Sequence, residues 1–213
     1  MKTYLSEVAK QRVNTIEAKV QDDLNLLQSI ATAVGTLPDP TEKAIIQLMK
    51  AETQTNNFKR MGFVYPDGMA VLSDNLLLDI SQEDHFKKAI AGEANISNLI
   101  IDAADGKRVI VEAVPVRHNE EIIGVLFATR ATKEYAEALD IPSFGGEGYS
   151  VVVQTNGDKI IGARHKNAVS GFYNIFNSPD DPQHELAKNI QEDFQQRKSG
   201  TITPYIRGKL PLF

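Results

Sequence analysis

Apolar residues recur every seven positions near the start of the chain, at Val13, Val20, Leu27 and Val34, and Ile16, Leu24, Ile30 and Ala31 fill the same stripe. Lys, Gln, Asp and Glu occupy the remaining positions, the pattern of an amphipathic helix. It predicts one helix over residues 3–35, ended by Gly35 and by Pro38 and Pro40 beyond it. At 1.5 Å per residue that helix runs about 50 Å, more than a small domain needs for its own core. The stripe through Leu5, Val8 and Val13 is expected to project toward a membrane, to pair with a second copy, or to pack along its own sheet.

A second helix is predicted over residues 41–55, with Thr41 or Asp39 as its cap and Ala44, Ile45, Leu48 and Met49 inward. The period then changes from helical to alternating. A hairpin is expected at 58–74 and strands at 96–102, 108–117 and 122–130, turning at Asp105-Gly106 and Asn119-Glu120. Between hairpin and strands, His85-Phe86-Lys87-Lys88-Ala89-Ile90 reads as a short helix that stops at Gly92. This order predicts an antiparallel sheet with helices on one side.

Residues 62–75 and 151–164 share a layout of apolar strand, Asp-Gly or Asn-Gly turn, and apolar strand. Such a turn suits a hairpin because its central residues take φ > 0, which glycine tolerates best. The repeat suggests one α+β module used twice. Further on, a bridging helix is expected at 133–139, a Gly-rich connector at 143–148, a helix at 182–198 and a strand at 200–206. The apolar end Lys209-Leu210-Pro211-Leu212-Phe213 reads as a cut through a longer protein.

Composition narrows the function classes. The net charge of −5 and the absence of a basic stripe argue against a nucleic-acid partner. The absence of Cys excludes disulfides and thiolate chemistry. No run of 18 apolar residues exists, so nothing in this segment is expected to span a membrane, and no signal-peptide core follows Lys2. The residues His85, His118, His165 and His184 have no metal-ligand spacing, and no metal or cofactor is expected. Gly145-Gly146-Glu147-Gly148 precedes a strand, whereas phosphate cradles open a helix, so it reads as a connector. No nucleophile elbow is present and no catalytic residue is assigned. The carboxylate pairs Glu120-Glu121 and Asp180-Asp181 read as solvated turn charge.

Five residues remain as candidate ligand contacts. Arg60 lies among Phe58, Phe63 and Tyr65, where a charge is costly unless paired. It either grips a ligand carboxylate or lies on the solvent face. Glu112 interrupts a run of Val and Ala in the same way. His85 and Phe86 open the short helix, either as the lid of a pocket or as packing on the sheet. Tyr65 completes the set. Arg117 and Arg130, near strand ends, are expected to face solvent.

The order of elements resembles the double Cache family of bacterial extracytoplasmic sensor domains, a long helix followed by two PAS-like modules. The resemblance rests on the long helix before Gly35, on Gly62-Phe63-Val64-Tyr65-Pro66-Asp67-Gly68, on Asp79-Ile80-Ser81 through Glu93, and on Ala113-Val114-Pro115-Val116 with Ile123-Gly124-Val125-Leu126. It implies an α+β fold with antiparallel sheets, divided into a helix at 1–35, a membrane-distal module at 36–131, a connector at 132–143 and an incomplete membrane-proximal module at 144–213. It further implies a non-enzymatic small-molecule sensor, outside the cytoplasm and between two membrane helices absent from this segment, with a homodimer through the long helix. A looser likeness of Phe144-Gly145-Gly146-Glu147-Gly148-Tyr149-Ser150 is to linkers of sensors attached to diguanylate cyclase or phosphodiesterase domains. The sequence departs from amino-acid-binding members, which carry Arg and an aromatic pair where this chain has Glu83 or Asp84 and His85-Phe86. The alternative is a structural or partner-binding module whose pocket is collapsed.

Overall fold

A computed structural model describes residues 2–37, 41–102, 105–132, 135, 151–154, 156–162 and 174–177. The elements expected at 133–139 (Tyr135 apart), 143–148, 182–198 and 200–206, and Asp39 as a cap, lie outside the described residues. The chain divides into two compact units, Glu17–Glu134 and a second made of Met1–Ile16 with Tyr135–Phe213.

The helices α1 (Lys2–Gly35) and α2 (Glu42–Thr55) form where the helical period places them, and α1 belongs to the first unit from Glu17 onward. Thr41 caps α2, its hydroxyl accepting from the Ala44 N–H. The strands β1 (Arg60–Val64), β2 (Met69–Leu72) and β3 (Leu77–Asp79) precede the short helix α3 (Asp84–Ile90). After it come β4 (Asn95–Ile96), β5 (Ile100–Ile101), β6 (Arg108–His118) and β7 (Glu121–Ala131). All pairings are antiparallel, in the spatial order β3-β2-β1-β7-β6-β4, and β5 also pairs with β6.

The sheet is covered on both faces, not on one as the element order suggests. On one face, Leu27, Ile30, Ala31 and Val34 of α1 and Ile45, Ile46 and Met49 of α2 pack on Met61, Phe63, Val114, Val116, Leu126 and Ala128. On the other, Phe86 and Ala89 of α3 pack on Val64, Leu72, Val109, Val111, Ala113, Val125 and Phe127. Strands buried on both faces lose the alternation that would reveal this, and β6 is buried over eight consecutive residues, Val109 to Val116. Along α1, Val13 is 54% exposed, whereas Leu27 and Val34 are fully buried.

The second unit contains β8 (Val151–Val153) paired with β9 (Lys159–Gly162), and a 3-10 turn at Ile175–Asn177. Its turn repeats the first one bond for bond, although its ladder has a register shift between Val152 and Val153 that the first lacks. The Tyr65 N–H donates to Met69 O (2.8 Å) and the Gly68 N–H to Tyr65 O (2.9 Å). In the second copy the Gln154 N–H donates to Asp158 O (2.8 Å) and the Gly157 N–H to Gln154 O (2.8 Å). Asp67 and Asn156 accept from the backbone N–H two residues on, and φ is 92° at Gly68 and 90° at Gly157. In the first copy only the glycine takes positive φ, because three residues, rather than two, link the closing pair. The glycine carbonyl is then used again, accepting from Ile80 in one copy and Ile175 in the other. Even the next turn matches, with Asp79 accepting from the Ser81 N–H and Asn174 from the Phe176 N–H, both at 2.9 Å.

Gly68→Ala is expected to destabilise by about 1–2 kcal/mol, because a Cβ is disfavoured at that φ and would lie 2.6 Å from Ser81 Cα. Urea denaturation checks this. An unchanged midpoint would mean that the turn relaxes freely.

Candidate functional site

The face under α3 is the one on which sequence-predicted residues meet. Successive strand residues point to opposite faces, so Arg60 shares a face with Gly62 and Val64, while Tyr65 shares one with Phe63. α3 ends at Gly92, at φ 99°, as the sequence predicts. Its first turn carries Asp84 and its last Lys87 and Lys88, charges that suit the helix dipole. Its inward residues are His85, Phe86 and Ala89. The His85 ring lies edge-on to Phe127, with centroids 6.3 Å apart. Asn95 of β4 donates to the backbone oxygens of His85 (3.2 Å) and Glu93 (3.0 Å), tying the first turn of α3 and the segment after it to the sheet edge.

Burial is the main reason that the His85 imidazole titrates below the usual histidine value of 6.5; Glu83 and Asp84 oppose the shift. Histidine in the unfolded chain therefore binds the proton more tightly than in the fold. Its contribution to stability is fully present above pH 6.5 and is lost as pH falls through that value toward the lower folded pKa. Urea midpoints between pH 8 and pH 5 should fall on the acid side for the wild type and flatten in His85→Gln. Equal slopes in the two proteins would remove His85 as the cause.

Arg60, Lys59 and three carboxylates close one end of this face. The Arg60 guanidinium donates from Nη1 to Asp102 (2.8 Å) and from Nε to Asp74 (3.0 Å). Lys59 Nζ lies 2.7 Å from both Asp102 and Asp105. The hydrogen bond from Lys59 is the largest cause holding Asp105 below the usual carboxylate range. Arg60 is thus engaged by carboxylates of the protein's own loops rather than presented to open solvent.

The other two candidates lie on the opposite face. Tyr65 packs edge-on to Phe63, with centroids 5.2 Å apart, and its hydroxyl approaches Glu42 of α2 at 3.4 Å. Burial, then the Glu42 charge, raises its pKa. Glu112 is fully buried on the α1 face, where Arg130 Nε donates to it at 3.1 Å. Arg130 is itself 4% exposed, contrary to the strand-end expectation, while Arg117 is exposed as predicted. The five residues therefore fall on two faces of the sheet: Arg60, His85 and Phe86 on the α3 face, Tyr65 and Glu112 on the face covered by α1 and α2. The strand reading also misses Phe127, Leu72, Asn95 and Asp102, all at or beside the α3 face. Among the described residues no cluster of His, Asp and Glu could hold a metal ion, and no helix is long and apolar enough to cross a membrane.

No family model matches the chain. Solved structures do. The ligand-binding domain of the Campylobacter jejuni chemoreceptor Tlp3, in complex with 4-methylisoleucine, superposes with a TM-score of 0.64 at 17% identity, over 74% of this chain and 67% of that one. The Pseudomonas aeruginosa amino acid chemoreceptor PctC with GABA gives 0.63 at 19% identity over 75% of each chain. The Pseudomonas fluorescens chemoreceptor CtaA with L-serine gives 0.64 at 20% identity, over 75% of this chain and 70% of that one. The chain has the fold of chemoreceptor ligand-binding domains. The α+β architecture with a long N-terminal helix expected from sequence is the architecture found.

Proposed function

We propose that this chain is the extracytoplasmic sensor segment of a membrane-bound bacterial receptor, without catalysis of its own, and that it takes a small molecule between α3 and the sheet. The observation that carries this reading is the seating of His85 and Phe86 on a sheet face shared with Arg60, in a fold whose solved members hold 4-methylisoleucine, GABA and L-serine. Residues 36–131 act as the membrane-distal module and 144–213 as the proximal one, and the bond-for-bond repeat of the two hairpin turns supports one module used twice. α1 carries the response toward the membrane, within a homodimer. A ligand shifts such an equilibrium only by its difference in affinity for the two arrangements.

Acidic Glu83 and Asp84 beside His85 make a plain amino-acid carboxylate a poor fit at the start of α3. Calorimetric titration with L-serine, L-leucine, GABA, primary amines and sugars tests the reading. Heat from one of these classes, abolished by His85→Ala with Phe86→Ala, is the expected result. No heat from any class, with receptor output indifferent to the same double substitution, rejects it. A second reading, a structural or partner-binding module, is favoured by one observation: the buried Phe127 ring occupies the space over Gly62, so part of the α3 face is already filled.

A further inference from the structure

The α1 face of the sheet holds a buried charge cluster that the sensor reading does not use. Arg130 of β7 donates from Nε to Glu112 of β6 (3.1 Å), from Nη2 to Asp23 of α1 (3.0 Å) and from Nη1 to the Asn56 carbonyl at the end of α2 (3.2 Å). Its guanidinium carbon lies 4.2 Å from the centre of the Phe58 ring. Lys19, one turn back on α1, holds the other oxygen of Asp23 at 3.1 Å. One planar group thus joins two helices and two strands. The side chains of Asp23, Glu112 and Arg130 are 10%, 0% and 5% exposed.

We propose that Asp23, Arg130 and Glu112 form a register lock, which fixes α1 against the β6–β7 pair and makes α1 follow movements of the sheet. Apolar contacts such as those of Leu27, Ile30 and Val34 tolerate sliding, because one methyl contact replaces another. A guanidinium fork does not tolerate it. A one-residue slip moves Asp23 by 1.5 Å along α1 and about 100° around it, which breaks the bond to Arg130. The strands that carry the lock also line the α3 face, since Val111 and Ala113 flank Glu112, and Phe127 and Thr129 precede Arg130. Displacement of those strands therefore reaches α1 through a polar contact with one allowed geometry. The proposal rests on the sensor reading only for what the lock transmits.

The chain has no Cys, so spin labels at Ala18→Cys on α1 and Glu121→Cys on β7, both exposed, report the helix–sheet distance without background. The probe is the labelled protein alone. Pulsed electron paramagnetic resonance should give one narrow distribution in the otherwise wild-type protein. The apolar replacement Asp23→Leu, Glu112→Leu and Arg130→Met should unfold cooperatively yet show a distribution broadened about twofold or split in two. Should that triple variant not fold, Arg130→Lys keeps a charge but loses the fork, and about the same broadening is expected. A wild-type distribution in a folded variant overturns the lock. Since no ligand is added, failure of the sensor reading leaves this result unchanged.

Discussion

Arg130→Met is expected to lose about 3–5 kcal/mol of folding stability, because it leaves Asp23 and Glu112 in the interior without their shared cation. The size follows from burial. A carboxylate of negligible exposure cannot recover its hydration by a small shift, and the loss of the charge-assisted bonds from Arg130 to Glu112 and Asp23 outweighs the packing that methionine keeps. Arg117→Met provides the contrast. Arg117 is exposed and donates to the Glu120 carbonyl at 3.1 Å, so its loss should stay within about 0.5 kcal/mol. Urea denaturation of both variants at neutral pH separates the cases. A loss below about 1 kcal/mol for Arg130→Met would mean that the cluster is effectively solvated.

The second large effect concerns Phe127. Its ring is 5% exposed and pairs across the strands with Gly62, where an added Cβ would lie 2.5 Å from the ring's Cζ and 2.8 Å from Leu72 Cδ2. Phe127→Ala should cost about 3–5 kcal/mol through lost burial and the cavity left under α3. Gly62→Ala should also destabilise, since the new methyl has no room while the ring is present. The double variant should then be more stable than the two losses predict together, by about 1 kcal/mol or more, because the methyl enters space that the ring vacated. Strictly additive losses would show that the ring and the glycine do not share that space.

Local features of this fold were legible in the sequence, and long-range polar pairings were not. The heptad stripe, the Thr41 cap, the Gly92 stop and the Asn119-Glu120 turn each depend on residues a few positions apart, and each forms as read. The strand expected at 96–102 is instead two short ones. Between them the Ser97 hydroxyl accepts the Val111 N–H at 2.9 Å, a bond that a strand carbonyl would otherwise receive. The cost of Arg60 inside a strand was readable, but its partners lie 14 and 42 residues away in two separate loops. For Arg130 the partner on α1 is 107 residues distant. Its strand is buried on both faces, so neither charge nor period says which way the side chain points. The same ambiguity separates Glu112 and Tyr65 from the other three candidates. Strand parity assigns them once the register is known, and register is set by pairing rather than by the strand's own residues.

The paired turns have an implication for exchange. The strands entering the two loops, Arg60–Val64 and Val151–Val153, have diverged, yet the loops keep the same bonds, the same glycine dihedral and the same reuse of the glycine carbonyl. What the two loops share is a closure written in backbone bonds, which few side chains need to respect. Such a loop is an exchangeable part: the bonds that close it depend on the Asp or Asn, the glycine and the backbone, while the surfaces around it specialise separately.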